Sequence, residues 1–170
     1  VYYEEKSPQT CQRFIKNLRK ACDWAEEVQV VLAIEIMDDP FINSIEKYLA
    51  VEKEIDSPYL FVYPDIGNVS AWHNDIYSEF YLGHHAIAAL HLKDTYAVTE
   101  NSKGQFRDVP FGQGCVKWEE AFDILKQTNY NGPFLIEMWS ENCETVEETR
   151  AAIQEAQAFL YPLIKKAGLM

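Results

Sequence analysis

Residues 30–36 read Val30-Val31-Leu32-Ala33-Ile34-Glu35-Ile36, a nearly unbroken apolar run carrying a single carboxylate near its end. A half-exposed strand alternates apolar and polar residues, whereas a strand of a parallel sheet is covered on both faces and reads as continuously apolar. The same kind of run recurs at Tyr59 to Tyr63, Ile87 to Leu92 and Phe134 to Trp139. Helical periodicity fills the intervals. Ser7-Pro8-Gln9-Thr10 opens a helix to about Glu27, with Phe14, Leu18, Ala21 and Ala25 on one face. Pro40 and Asn43 introduce a second helix to about Glu54, and Asp75 to Gly83 forms a short one. Val116 to Thr128 presents Trp118, Phe122 and Leu125, and Val146 to Lys166 ends at Gly168. The polar stretch from Thr95 to Gly114 has no clear period and is expected to be a functional loop. No linker or composition shift divides the chain, so residues 1–170 are expected to form a single domain.

Four β-then-α units in succession predict an α/β fold with a parallel sheet and helical crossovers. An open doubly wound sheet and a closed (β/α)8 barrel both satisfy that pattern. A complete barrel takes about 250 residues, so four units make half of one. No G-x-G-x-x-G or G-x-x-x-x-G-K follows any strand, which weakens the nucleotide-binding form of the open sheet.

Composition narrows the partners. The 170 residues are 48% hydrophobic and carry a net charge of −12. Such a surface repels a phosphate backbone, which argues against nucleic acid. No apolar run approaches the roughly 20 residues that span a bilayer, so no membrane partner is expected. Val1-Tyr2-Tyr3-Glu4-Glu5-Lys6 is charged too early for a signal peptide. Cys11, Cys22, Cys115 and Cys143 form no C-x-x-C pair and read as free thiols of a cytoplasmic protein.

The chemistry is concentrated at the strand ends. Glu35, Asp65, His91 and Glu137 each sit at or near the end of one apolar run. A charge or imidazole in such surroundings is costly unless paired or bound to a cation. Four of them, one per successive strand, would converge at the C-terminal mouth of a barrel. Three carboxylates and one imidazole suit Mn²⁺, Mg²⁺, Co²⁺ or Zn²⁺ with positions left open for substrate. Alternation along a strand puts His91 and Lys93 on one face, and Glu137 and Trp139 on one face. Lys93 and Arg107 are candidate ligands for an anionic substrate group, with amides of the Gly112–Gly114 turn, and Trp139 is a candidate wall. Trp72 reads as a loop aromatic covering the site, and His84-His85 as a pair at a helix C-terminus.

Five stretches carry a family resemblance: Ala33-Ile34-Glu35-Ile36-Met37-Asp38, Tyr63-Pro64-Asp65-Ile66-Gly67-Asn68, His91-Leu92-Lys93-Asp94-Thr95, Val109-Pro110-Phe111-Gly112-Gln113-Gly114 and Leu135-Ile136-Glu137-Met138-Trp139-Ser140. They resemble the L-ribulose-5-phosphate 3-epimerases, also called L-xylulose-5-phosphate 3-epimerases, of the xylose-isomerase-like barrel superfamily. The resemblance covers the whole chain and the second half of the family's length, with Val1 to Glu5 similar to the end of that family's fourth strand. It implies a half barrel of the (β/α)8 TIM type. Glu35 and Glu137 are implied to be metal ligands and the acid–base pair, with Asp65 and His91 completing the shell around one divalent ion, Zn²⁺ or Mn²⁺. Asn68 stands where ketohexose 3-epimerases of the superfamily have a histidine, which favours a phosphorylated ketose over a free ketohexose.

The implied reaction inverts C3 of a ketopentose phosphate through an enediolate in cytoplasmic pentose and L-ascorbate catabolism, by a homo-oligomer, a dimer in the simplest case. Two alternatives stand beside it. A half-barrel exposes two sheet edges and could act as an oligomerising metal-binding module without catalysis of its own. A hexulose-phosphate isomerase or an endonuclease IV-like nuclease uses a similar barrel, but the nuclease needs further histidines and a basic face.

Overall fold

In a computed structural model, which describes residues 4–170, Ser7 starts the first helix as the sequence dictates. Its side chain accepts from the Thr10 N–H, Thr10 returns the bond, and Pro8 occupies the first helical position, where no amide is needed. This helix, α1 (Pro8–Val28), ends at Gln29 in the left-handed conformation. Val30 then donates its N–H to the Ala25 carbonyl, so the strand expected from Val30 begins instead at Leu32. The expected strand end at Val1 to Glu5 falls partly on residues 1–3, outside the described residues, and Glu4 and Glu5 are not in a strand.

Strand β1 (Leu32–Glu35) leads to α2 (Ile45–Ile55), capped by Ser44, and on to β2 (Leu60–Tyr63). Helix α4 (Ile76–Gly83) follows a short helix α3 (Ile66–Ala71), and a 3₁₀ turn at His84–Ala86 leads to β3 (Leu90–Leu92). The chain continues through β4 (Asp94–Tyr96), β5 (Gln105–Val109), α5 (Trp118–Gln127), β6 (Phe134–Ile136) and α6 (Val146–Ala167). β1 pairs with β2 in parallel from Leu32↔Leu60 to Glu35↔Tyr63, and β3 pairs with β6 from Leu90↔Phe134 to Leu92↔Ile136. Parallel bridges at Val62↔Ile87 and Asp65↔His91 join the two pairs, giving the strand order β1-β2-β3-β6. Among the described residues no strand pairs with the outer edge of β1 or β6.

The arc has two unlike faces. Leu60, Val62, Leu90 and Leu92 are buried against the helices, with Tyr48, Phe80, Phe122, Leu125 and Leu160 completing the core. The alternate residues line the other face, where Ala33 and Leu135 are exposed and the strand-end polar groups gather. The shared faces expected for His91 and Lys93 and for Glu137 and Trp139 are present, but the cover expected on both faces of the strands is not, since Ala33 and Leu135 are exposed among the described residues.

β3 and β6 are shorter than the expected Ile87 to Leu92 and Phe134 to Trp139, and two further elements differ from expectation. Asp65 ends β2 and at once caps α3, accepting from the Asn68 N–H at 2.8 Å, so the expected strand-to-loop exit is a helix start. The expected loop from Thr95 to Gly114 contains the antiparallel hairpin β4–β5, paired at Asp94↔Val109 and Tyr96↔Gln105. Asp94 anchors the turn after this hairpin. Its carboxylate accepts from the N–H groups of Gly112 (2.8 Å), Gly114 (3.1 Å) and Val116 (3.4 Å) and from Trp118 Nε1 (3.4 Å). A Cβ on Gly114 would lie 2.0 Å from Asp94 Oδ1, so only glycine lets the turn close on the carboxylate.

Candidate metal centre

Parallel pairing sets the C-terminal ends of β1, β2, β3 and β6 side by side, which brings Glu35, Asp65, His91 and Glu137 together. One ligand atom from each lies within 4.8 Å of the others. His91 Nδ1 is 2.9 Å from Glu35 Oε1, 3.0 Å from Glu137 Oε2 and 3.9 Å from Asp65 Oδ2. The imidazole packs against the Tyr63 ring with centroids 4.2 Å apart, which limits its rotation.

Lys93 reaches the same place from β3's end. Its Nζ stands 3.1 Å from Asp65 Oδ2 and 3.0 Å from Glu137 Oε1. Trp139 Nε1 donates to the same Glu137 oxygen at 3.2 Å, and the Arg107 guanidinium lies over the Trp139 ring, 3.8 Å from its centroid. Asn68 donates Nδ2 to the Ile36 carbonyl at 3.0 Å, which ties α3 to the end of β1. Four ligand atoms therefore converge from Glu35, Asp65, His91 and Glu137, with Lys93 and Trp139 on Glu137, Arg107 over Trp139, and Asn68 buried behind Asp65.

Charge distribution follows from burial. Burial pushes the Asp65 carboxyl up to about 7, against the pull of the Lys93 ammonium and the Asn68 amide. Burial would also raise Glu137, but its contacts with His91, Asp65 and Lys93 hold it well below the usual carboxylate range. Burial would lower His91, yet Glu137 and Glu35 carry it up to about 9.

The donor set fits a divalent cation. Asp65 Oδ2 and Glu137 Oε2 are buried and meet no aligned hydrogen-bond donor. Asp65 Oδ1 is anchored on the Asn68 amide and Glu137 Oε1 on Lys93 and Trp139, while Asp65 Oδ2 lies 3.1 Å from Lys93 Nζ and Glu137 Oε2 3.0 Å from His91 Nδ1. Three carboxylates with ligand atoms within 4.8 Å of one another carry more negative charge than the single Lys93 ammonium offsets, and a further cation would balance it. Three carboxylates and an imidazole suit the harder divalent ions.

Other expectations fare differently. The Gly112 and Gly114 amides, expected to be available to an anion, are engaged by Asp94. His84 contacts the Tyr81 carbonyl and His85 faces Glu52 at 3.6 Å, while His73 contacts the Val98 carbonyl, so none joins the cluster. The Trp72 ring packs on Phe106 of β5, with centroids 5.8 Å apart. The four cysteines are free. Among the described residues no helix is long and apolar enough to cross a membrane. Sequence reasoning missed Tyr63 as the ring that braces His91, although its position two residues before Asp65 offered a signal.

The chain is 50% identical over all its 170 residues to the putative L-ribulose-5-phosphate 3-epimerase SgbU of Haemophilus influenzae, and 47% identical to the protein of the same name from Escherichia coli K12. It is 43% identical to the L-ribulose-5-phosphate 3-epimerase UlaE of Escherichia coli O157:H7. The chain spans 58% of the length of the first two relatives and 57% of the third. Among solved structures, an L-ribulose 3-epimerase superposes with a TM-score of 0.76 at 17% identity, over 96% of this chain and 57% of that one. A xylose isomerase domain protein from Planctomyces limnophilus superposes equally well at 20% identity, over all of this chain and 57% of that one. Its sequence matches the profile of one family across residues 1–163, and the chain belongs to the xylose isomerase-like TIM-barrel family.

Proposed function

We propose that this chain carries the metal centre and acid–base pair of a sugar-phosphate 3-epimerase that interconverts L-ribulose 5-phosphate and L-xylulose 5-phosphate. The observation that carries the reading is the convergence of two glutamates from β1 and β6, the edges of the arc, on one buried aspartate and one histidine. Epimerisation at C3 of a 2-ketose removes a proton next to a carbonyl, forms a planar enediolate, and returns a proton to the opposite face. Two carboxylates on opposite sides of a site supply that pair, and they exchange roles in the reverse direction.

Glu35, Asp65, His91 and Glu137 would hold the ion, Zn²⁺ or Mn²⁺ by donor type. A bound divalent ion acts as a Lewis acid on the ketose oxygens and stabilises negative charge developing there. Glu35 and Glu137 move the C3 proton, and Trp139 walls the site. Asn68 Oδ1, buried without a partner, marks the α3 side of the site as polar. Arg107, at the rim over Trp139, is the phosphate candidate of this half. The names of the relatives support L-ribulose 5-phosphate as the substrate; a place in cytoplasmic pentose and L-ascorbate catabolism is part of the proposal.

The test is isotopic. The protein with Mn²⁺ and L-ribulose 5-phosphate in D₂O should incorporate deuterium at C3, read by NMR. Absence of label at C3 with a metal-loaded protein would remove the proposal. A second reading has its own observation: both edges of the arc are unpaired among the described residues and Leu135 on the concave face is 52% exposed. It holds that the chain is an oligomerising metal-binding module. Metal uptake and self-association without C3 exchange would favour it. A nuclease is disfavoured by the net charge of −12 and by a single histidine in the cluster.

A further inference from the structure

We propose that Lys93 is a resident counter-cation of the centre, a positioning residue that holds Asp65 by Oδ2 and Glu137 by Oε1 and offsets one of the three carboxylate charges. The inference rests on the reading of Glu35, Asp65, His91 and Glu137 as a metal shell. Lys93 is only 7% exposed, and its ammonium is divided between two carboxylates at 3.1 and 3.0 Å. A surface lysine awaiting a phosphate would keep its ammonium in water, because burial of an ammonium is costly unless it is paired. Lys93 is paired already, within the protein. It therefore serves the ligands rather than the substrate's anionic group.

The charge balance shows what this does. Three carboxylates and one ammonium leave two negative charges, which one divalent ion cancels when His91 is the neutral ligand. Without Lys93 the loaded centre keeps one negative charge. Two consequences follow, and they run in opposite directions. The ammonium repels an incoming cation, so its removal strengthens metal binding. The ammonium also favours the negative charge that develops on an enediolate, so its removal slows exchange. Damage to the fold of the site would weaken both, which makes the divergence diagnostic.

The geometry of Glu137 sharpens the role. Lys93 and Trp139 both hold Oε1, and Oε2 is left toward the cluster. A carboxylate gripped by one oxygen presents the other in a fixed direction, which is what a group that binds an ion and handles a proton requires.

The experiment compares Lys93→Met, Lys93→Gln and Lys93→Arg with the wild-type chain, using Mn²⁺ alone as the probe in calorimetric titration, and C3 exchange in D₂O as the second readout. Lys93→Met should bind Mn²⁺ at least about fivefold more tightly and exchange at least about tenfold more slowly. Lys93→Arg, which keeps the charge, should bind Mn²⁺ as the wild type does. Should Lys93→Met fail to fold, Lys93→Gln carries the same expectation. Mn²⁺ binding by the wild type with unchanged or weaker binding in the neutral variants would overturn the role of Lys93 and leave the metal shell standing. A raised KM for phosphorylated ketose alone, at unchanged Mn²⁺ affinity, would make Lys93 a phosphate ligand instead. No Mn²⁺ binding by the wild type would overturn the metal reading and this inference with it.

Discussion

Glu35 at the end of β1 and Glu137 just beyond β6 are the same residue type at corresponding places, yet their surroundings differ. The Glu35 side chain is 35% exposed and meets His91 Nδ1 at 2.9 Å, whereas the Glu137 side chain is 17% exposed and is held by Lys93 and Trp139 on one oxygen and faces His91 with the other. The proposed acid–base pair is thus not built alike. In the proposed reaction the anchored Glu137 would set direction, and the looser Glu35 would adjust as the planar intermediate forms. Roles in such a pair follow from the groups around each carboxylate.

The comparison is broken most directly at Glu137. Glu137→Gln should lower C3 exchange by about a thousandfold, by loss of one acid–base group, and weaken Mn²⁺ binding as well. Aspartate substitutions then separate the two glutamates. Glu137→Asp withdraws the carboxylate from Lys93 and Trp139 and should fall nearly as far, whereas Glu35→Asp should retain the larger activity because less grips it. Equal rates for the two aspartate variants would erase the distinction.

Trp139→Phe tests the anchorage without removing the wall. The ring remains, the donor to Glu137 Oε1 at 3.2 Å is lost, and exchange should fall about tenfold, the usual range for a group that orients a ligand. An unchanged rate would mean that Lys93 alone fixes Glu137.

Stability of the metal-free protein against pH probes the same cluster. Asp65 is raised to about 7 and His91 to about 9, both above their unfolded values near 4 and 6.5. Groups raised on folding contribute stability at low pH and lose it as pH climbs through the folded value. Melting temperature should therefore decline from about pH 5 to 9, with the upper part of the fall due to His91 and worth roughly 1–2 kcal/mol after allowance for partial solvation. Glu137 has the opposite sign: its stability is present above about pH 4 and is lost only as acid reaches its lowered folded value. Circular-dichroism melts of wild type and His91→Gln would show the difference, since the variant should lose the decline above about pH 7, where Asp65 no longer contributes to it.

How far the sequence reaches depends on the range of the interaction. The four residues of the cluster were legible because each punctuates an apolar strand, and the parallel pairing that joins them follows from those same strands. The face shared by His91 and Lys93 was legible from alternation. What Lys93 touches was not, because Asp65 and Glu137 lie 28 and 44 positions away in the chain and no local pattern encodes that meeting. The hairpin was hidden for a similar reason: β4 is three residues long, and its order comes from Asp94 gathering amides 18 to 22 positions downstream. Helix α3 has six residues, too few for periodicity to show, and its cap is a residue that reads equally well as a strand end.

The smallest expected effect lies farthest from the proton. Arg107 rests on the Trp139 face, 3.8 Å from the ring centre, at an exposed position where such a contact is worth about 0.5–1 kcal/mol. Asp108, the next residue, has φ of 57°, a conformation that fixes how this part of β5 aims its side chains. Arg107→Ala should therefore move the melting temperature only slightly. If the guanidinium also meets the phosphate, KM for the phosphorylated ketose should rise severalfold while that for the unphosphorylated sugar stays put. If it acts only through Trp139, kcat should fall for both sugars, because the indole N–H then holds Glu137 less firmly. Steady-state kinetics on the two sugars distinguishes a substrate contact from a prop behind the anchored glutamate, and so decides whether the Glu137 side of the mouth also reads the phosphate.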